Sequence, residues 1–131
     1  MVDSNLRTQE LQAHEGAIRT SFETAAKAAR DLLTPRLVAY VTGVHETRTV
    51  NEWAHGLREA RSQAVEDRLR FALQVALLLS EHDDRRVVQA WFQGLNPHLD
   101  DQSPARLLRE GDLGEVGPQV MAAARAFVVG G

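Results

Sequence analysis

Thr34-Pro35-Arg36-Leu37-Val38-Ala39-Tyr40-Val41-Thr42-Gly43-Val44-His45-Glu46-Thr47-Arg48-Thr49-Val50-Asn51-Glu52-Trp53-Ala54-His55-Gly56 is the stretch on which the fold depends. Thr34-Pro35 closes one helix and starts the next, with Thr34 as N-cap and Pro35 at the first helical position. The helix from Arg36 to Thr42 stops at Gly43. Another runs from Glu46 or Thr47 to Ala54 or His55 and stops at Gly56. Two short helices joined this way make a helix-turn-helix if a small residue sits where they cross, a glycine takes positive φ in the turn, and apolar anchors underlie the second helix. Ala39, Gly43 and Val44 meet these needs, and Val50, Trp53, Ala54 and Leu57 fall at i, i+3, i+4 and i+7, a spacing that predicts joint burial. The opposite face carries Arg48, Asn51, Glu52 and His55, with Thr49 beside them. Such side chains suit base edges: arginine to guanine, asparagine to adenine, glutamate to the cytosine amine. A helical hairpin with a merely solvated polar face fits the same pattern, and both readings stay open.

Working outward, Ile18, Phe22, Ala25, Ala29 and Leu32 mark one face of an amphipathic helix over 17–33, preceded by a polar arm over 1–16. After a polar link over 58–63, a long helix is predicted from about Ala64 to Glu81. Its apolar residues, from Val65 and Leu69 through Phe71, Leu73, Val75, Ala76, Leu77 and Leu78, cover most of the circumference and belong at the centre of a core. Asp83 or Asp84 caps a helix over Arg85–Gln93, and Gly94 ends it. Leu95 to Ser103 forms an ordered loop, and Ser103-Pro104 restarts a helix through Glu110. Gly111, Gly114 and Gly117 punctuate the next stretch, so the last helix is expected over about Pro118 to Val128, with Val120, Ala124 and Phe127 on one face. The fold class is all-α. A helix-turn-helix region (17–81, with the motif over about 35–57) precedes a small C-terminal helical module (82–131).

Composition narrows the function. The 131 residues contain no cysteine, which removes disulfides, thiolate nucleophiles and cysteine-ligated metals. No apolar run is long enough to cross a bilayer, and the N-terminus lacks the pattern of a signal peptide, so a soluble cytoplasmic protein is expected. The net charge is −3, and residues 34–62 carry four arginines against three glutamates. DNA binding would therefore rest on a few well-placed arginines and on dimerisation. Ile18, Phe22, Leu33 and the long helix are candidates for the dimer surface. The five histidines form no i, i+4 metal pair with a third ligand, His82-Asp83 lacks the partners of a phosphohydrolase site, and no serine sits in a nucleophile elbow. No catalytic residue, metal or cofactor is expected.

The second half carries the more specific pattern. Val88-Gln89-Ala90-Trp91-Phe92 precedes Leu95-Asn96-Pro97-His98-Leu99, then Ser103-Pro104-Ala105-Arg106-Leu107-Leu108-Arg109-Glu110-Gly111. Trp91 is a large anchor for short helices, Pro97 and Pro104 restrict the loop between them, and Leu99, Leu107 and Leu108 can close a small core. Together these segments resemble the toxin-binding domain of antitoxins in the Xre/MbcA/ParS family. Gly43-Val44 and Trp53-Ala54-His55-Gly56 resemble the turn and closing Trp-x-x-Gly of Xre-type regulators. The gap from Gly43 to Val50 is one residue longer than the usual pattern, an insertion that would rotate the second helix by about 100° or be absorbed in the turn.

The resemblance implies an antitoxin of a type II toxin–antitoxin pair. Its partner would be an NAD-acting toxin with a fold related to ADP-ribosyltransferases, whose NAD cleft the C-terminal module covers. Expected toxin contacts are the exposed neighbours Phe92, His98, Arg106 and Arg109 together with the tail Phe127-Val128-Val129-Gly130-Gly131. The resemblance also implies operator binding by a homodimer, with Arg48, Thr49, Asn51, Glu52 and His55 toward DNA. Ala39, Gly43, Val50, Trp53, Trp91, Pro97, Leu99, Pro104 and Leu108 are expected to hold the fold. Two alternatives remain: an interaction module whose degenerate helix-turn-helix binds no DNA, and a stand-alone transcriptional regulator.

Overall fold

The computed structural model describes residues 21–130. The arm over 1–16, Ile18 and Gly131 lie outside the described residues. Within them the chain forms α1 (Phe22–Leu33), α2 (Pro35–Thr42), α3 (Thr47–Ala54), α4 (Gln63–Ser80), α5 (Arg85–Gln93), a single 3₁₀ turn (Pro97–Leu99), α6 (Pro104–Glu110) and α7 (Leu113–Gly130). No strand occurs among the described residues, and the fold is all-α.

Capping side chains start most of these helices. Ser21 Oγ accepts from Thr24 N–H, Thr34 Oγ1 from Leu37 N–H, Ser62 Oγ from Val65 N–H, Asp84 Oδ1 from Val87 N–H and Ser103 Oγ from Arg106 N–H. Each satisfies one of the donors that a helix start leaves orphaned. The Ser21 cap begins α1 at Phe22, so the helix expected over 17–33 starts later, with Ser21 itself in non-helical backbone. Thr34 serves two helices. Its N–H closes α1 on Arg30 C=O while its hydroxyl opens α2, and it does so at φ 83°, ψ 151°, a region that residues other than glycine rarely occupy.

Gly43 ends α2 in the left-handed conformation (φ 83°), and Val44 N–H reaches back to Ala39 C=O at 3.0 Å. This Schellman-type closure turns the chain into α3. Val50 is fully buried while Arg48 points outward, so α3 keeps the buried and exposed faces that its apolar spacing predicts. At the far end Gly56 (φ 72°) repeats the closure, with Leu57 N–H on Glu52 C=O. That reversal carries Leu57 away from the helix axis, so it lies 76% exposed and is not the fourth anchor that helical extrapolation predicts.

One contiguous core runs through all seven helices. α1 packs on α3 and α4, α2 on α3 and α6, and α7 against α4. Trp53 is buried and meets Phe22 edge-on at 5.4 Å, and Leu33 is fully buried. Leu33 thus belongs to the interior of one chain and is withdrawn as a dimer contact, whereas Phe22 is half-buried at the edge of the core. The long helix buries Val65, Leu69, Ala72, Val75, Ala76 and Leu79, with Phe71, Leu73 and Leu78 packed at its edges. Leu77 departs from the expected wrap and faces outward. The C-terminal third closes around Trp91, Phe92, Leu99, Ala105 and Leu108. Trp91 and Phe92 are in edge-to-face contact at 5.2 Å.

α7 begins at Leu113 rather than near Pro118. Asp112 C=O accepts from Glu115 and Val116 N–H, and Gly117 is buried where a Cβ would lie 3.5 Å from the Phe71 ring. Packing on α4 overrides the weak helix propensity of Gly114 and Gly117. Pro118 is exposed, and as the sixth helical residue it omits one bond to the Gly114 carbonyl. The helix also continues through Gly130, two residues beyond its expected end at Val128.

Candidate functional site

The exposed side of α3 is less free than its sequence suggests. Arg48 Nε donates to Glu52 Oε1 at 2.9 Å, and Arg58 Nε pairs with Glu52 Oε2 at 3.3 Å. Arg58 Nη1 also donates to Thr49 Oγ1, and His55 Nδ1 lies 2.7 Å from Asn51 C=O. Glu52 therefore has both carboxylate oxygens engaged within the chain. Arg48 remains largely exposed, whereas Asn51 is half-buried.

Besides a mixed cleft of about 500 Å³ along Thr49 and Trp53, lined by Glu46, Arg58, Glu59 and Arg61, two clefts rich in arginine adjoin this helix. The larger, of about 1280 Å³, lies between the α2–α3 turn and α6, and Arg36, Tyr40, His45, Glu46, Arg48 and Arg109 line it. The smaller, of about 530 Å³, contains Arg30, Asp31, Asn51, Arg85 and Arg86. Thr34, the residue with strained backbone, lines both.

The remaining expected contacts divide between two surfaces. His98, Phe127 and Gly130 come together with Trp91, Leu95 and Pro97 in a groove of about 480 Å³ between the end of α5, the Pro97 loop and the end of α7. Leu95 is 78% exposed at its rim and Val129 stands 88% exposed nearby on α7, while Phe127 and Val128 pack partly on the core. Arg106 and Arg109 lie elsewhere on α6. Arg106 pairs with Glu110 at 3.0 Å, and that hydrogen bond and charge hold its guanidinium above the ordinary pKa. Arg109 donates to Tyr40 C=O at 2.8 Å, with its guanidinium 4.8 Å from the Tyr40 ring centroid. Phe92, expected on the surface, is fully buried and is withdrawn as a partner contact. Val88, Trp91 and Phe92 share one helical stripe at i, i+3 and i+4, the signal by which this burial is legible.

Of the residues expected to hold the fold, Ala39, Val50, Trp53, Trp91, Leu99, Pro104 and Leu108 are buried, and Pro97 opens the 3₁₀ turn at the surface. Asn96 organises that loop. Its Oδ1 accepts from His98 N–H, its carbonyl accepts from Leu99 and Asp101 N–H, and Asp100 and Asp101 take left-handed backbone. These aspartates act as turn residues.

Sequence reasoning missed the side chains that tie the two halves together at helix C-termini. Arg68 of α4 donates Nε to Leu108 C=O at 2.9 Å and Nη2 to Gly111 C=O at 3.0 Å, closing α6. Arg85 Nη1 reaches Asp31 C=O and Gln89 Nε2 reaches Leu32 C=O, both at the end of α1. Each supplies donors, two of them cationic, where a helix leaves carbonyls unpaired. Their partners are 40 to 57 residues away in sequence, beyond the reach of any periodicity.

Among the described residues no three histidine or carboxylate side chains converge as a metal site, and no helix is long and apolar enough to cross a membrane. No family model matches the chain, and no curated protein matches it in sequence. Among solved structures, it is similar to a chain of the crystal structure of the M. tuberculosis MbcT-MbcA toxin-antitoxin complex. The TM-score is 0.66 and the identity 24%, over 82% of this chain and 94% of that one. The all-α architecture read from the sequence is thus the fold of a chain in that complex.

Proposed function

We propose that this protein is the antitoxin of a toxin–antitoxin pair and has no catalytic activity of its own. The observation that carries the reading is the fold shared, over most of both chains, with a component of a toxin–antitoxin complex. The groove at the end of α7 supports it. His98, Phe127 and Gly130 meet there with exposed Leu95, a largely apolar groove to which Asn96 and His98 add polar groups, of the kind that protein interfaces use. The partner is an NAD-acting, ADP-ribosyltransferase-like toxin, and the C-terminal module with its helical tail covers that toxin's NAD cleft. Removing residues 127–131 tests this in a purified NAD-consumption assay with the toxin. The shortened protein releases toxin activity if the tail occludes the cleft; an undiminished block excludes the tail.

The same protein, as a homodimer, represses its own operon through α2 and α3, with Arg48 and Asn51 toward DNA. A second reading, an interaction module that binds no DNA, is favoured by one feature: Arg48 and Arg58 share Glu52 within the chain. A gel shift on the upstream DNA separates the two, since absence of a shift at low salt removes the repressor role.

A further inference from the structure

Six arginines line the two clefts beside α3. Arg36, Arg48 and Arg109 occupy one and Arg30, Arg85 and Arg86 the other, against only Glu46 and Asp31 among carboxylates. The whole chain is −3, so this strip concentrates positive charge on one side of an otherwise acidic molecule. The clefts adjoin at Thr34, and α3 opens on one through Arg48 and on the other through Asn51.

We infer that the strip is a docking surface for duplex DNA. α3 is directed at the major groove, and arginines from outside the helix-turn-helix, Arg85 and Arg86 of α5 above all, bind the phosphates alongside. This rests on the DNA-binding role proposed above and enlarges it, because the C-terminal half becomes part of the DNA interface. The basic clefts run along one flank of α3, where they match one of the two phosphate strands that border a major groove, while the other flank, with Arg58 and Arg61 against Glu46 and Glu59, carries no such excess. The major groove of B-form DNA admits a helix, whereas that of an RNA duplex is too narrow, so the geometry selects DNA. Glu52 is already engaged by Arg48 and Arg58, which leaves base readout poor and makes phosphate contact the dominant source of affinity. Arg36, Arg85 and Arg86 are all exposed, and Arg85 spends one nitrogen on Asp31 C=O while keeping its charge.

The test is a salt titration of binding to a labelled duplex taken from the DNA upstream of the coding sequence, with an RNA duplex of the same sequence as competitor. Log affinity against log salt is compared for the full chain, R85Q/R86Q, R36Q, R86Q and N51A. Each phosphate-contacting arginine contributes about 0.9 to the slope and is present twice in the homodimer, so R85Q/R86Q is expected to lower it by roughly four and R36Q or R86Q by about two. The single variants R36Q and R86Q keep the test intact if loss of the Arg85 contact weakens folding. Binding by the wild type with unchanged slopes in all three arginine variants, while N51A weakens it, overturns the strip and leaves the helix-turn-helix reading standing. Equal competition by the RNA duplex overturns the choice of DNA. No binding by the wild type at low salt removes the DNA role itself, and the strip with it.

Discussion

Arg68 offers the sharpest test of how the C-terminal module is held. α6 has seven residues, too short to persist without tertiary support, and its last carbonyls are closed by a guanidinium from α4. R68A removes the two charge-assisted bonds to α6, beside a longer one to Ala64 C=O of its own helix, and leaves the carbonyls of Leu108 and Gly111 without this donor. Each such bond is worth about 1.5–3 kcal/mol net. Arg68 is half-buried, so water replaces part of the loss, and about 2 kcal/mol is expected for the pair. At about 3–5 °C per kcal/mol for a chain of this length, the melting temperature falls by roughly 6–10 °C. R68K keeps a single point donor in place of a planar fork and should lose about half as much. Urea melts followed by far-UV circular dichroism measure both, with an unchanged m-value marking a true stability effect. A loss below about 0.5 kcal/mol for R68A, within the range of an ordinary surface substitution, would refute the claim that this clamp holds α6.

Thr34 is expected to show cap and strain acting against each other. T34A loses the N-cap bond to Leu37 at a cost of about 1 kcal/mol without relaxing φ, whereas glycine substitutes well as a cap. Relief of roughly 1–3 kcal/mol of strain, less the chain entropy of glycine, should leave T34G about 1–2 kcal/mol more stable than T34A. Equal thermal midpoints for the two would contradict this. G56A meets a left-handed φ and a Glu23 carboxylate 2.8 Å from the new Cβ. Glu23 is exposed and can swing away, so the cost is chiefly the backbone's, about 1–2 kcal/mol in the same urea melts. An unaltered midpoint would count against the helix closure assigned to Gly56.

Local chemistry made much of this fold readable. Thr34-Pro35 and Ser103-Pro104 begin helices because a hydroxyl cap and a fixed φ act within three residues, and Gly43 and Gly56 end them by the same short-range logic. The failures share a cause: the deciding partner is distant in sequence. α7 extends back to Leu113 where Gly117 fits against Phe71, and Leu57 leaves the core because the chain reverses one residue earlier. The site was legible as two sets of residues but not as surfaces. His98 and Phe127 proved to be neighbours across α7 and the Pro97 loop. Arg109 instead reaches back 69 residues to clasp Tyr40, beside the very turn expected to face DNA. The role of Arg36, Arg85 and Arg86 is collective and is not legible in the sequence, because α2 and α5 bring them beside α3 only in the folded chain.

The central claim is that this polypeptide silences a toxin by sitting on it. Purifying it together with the product of the neighbouring gene, and following NAD while the ratio of the two is raised, measures that directly. A stable complex in which NAD consumption stops at a fixed stoichiometry is the predicted result. A neighbouring product that elutes separately and consumes NAD at the same rate whether or not this protein is present would contradict the account.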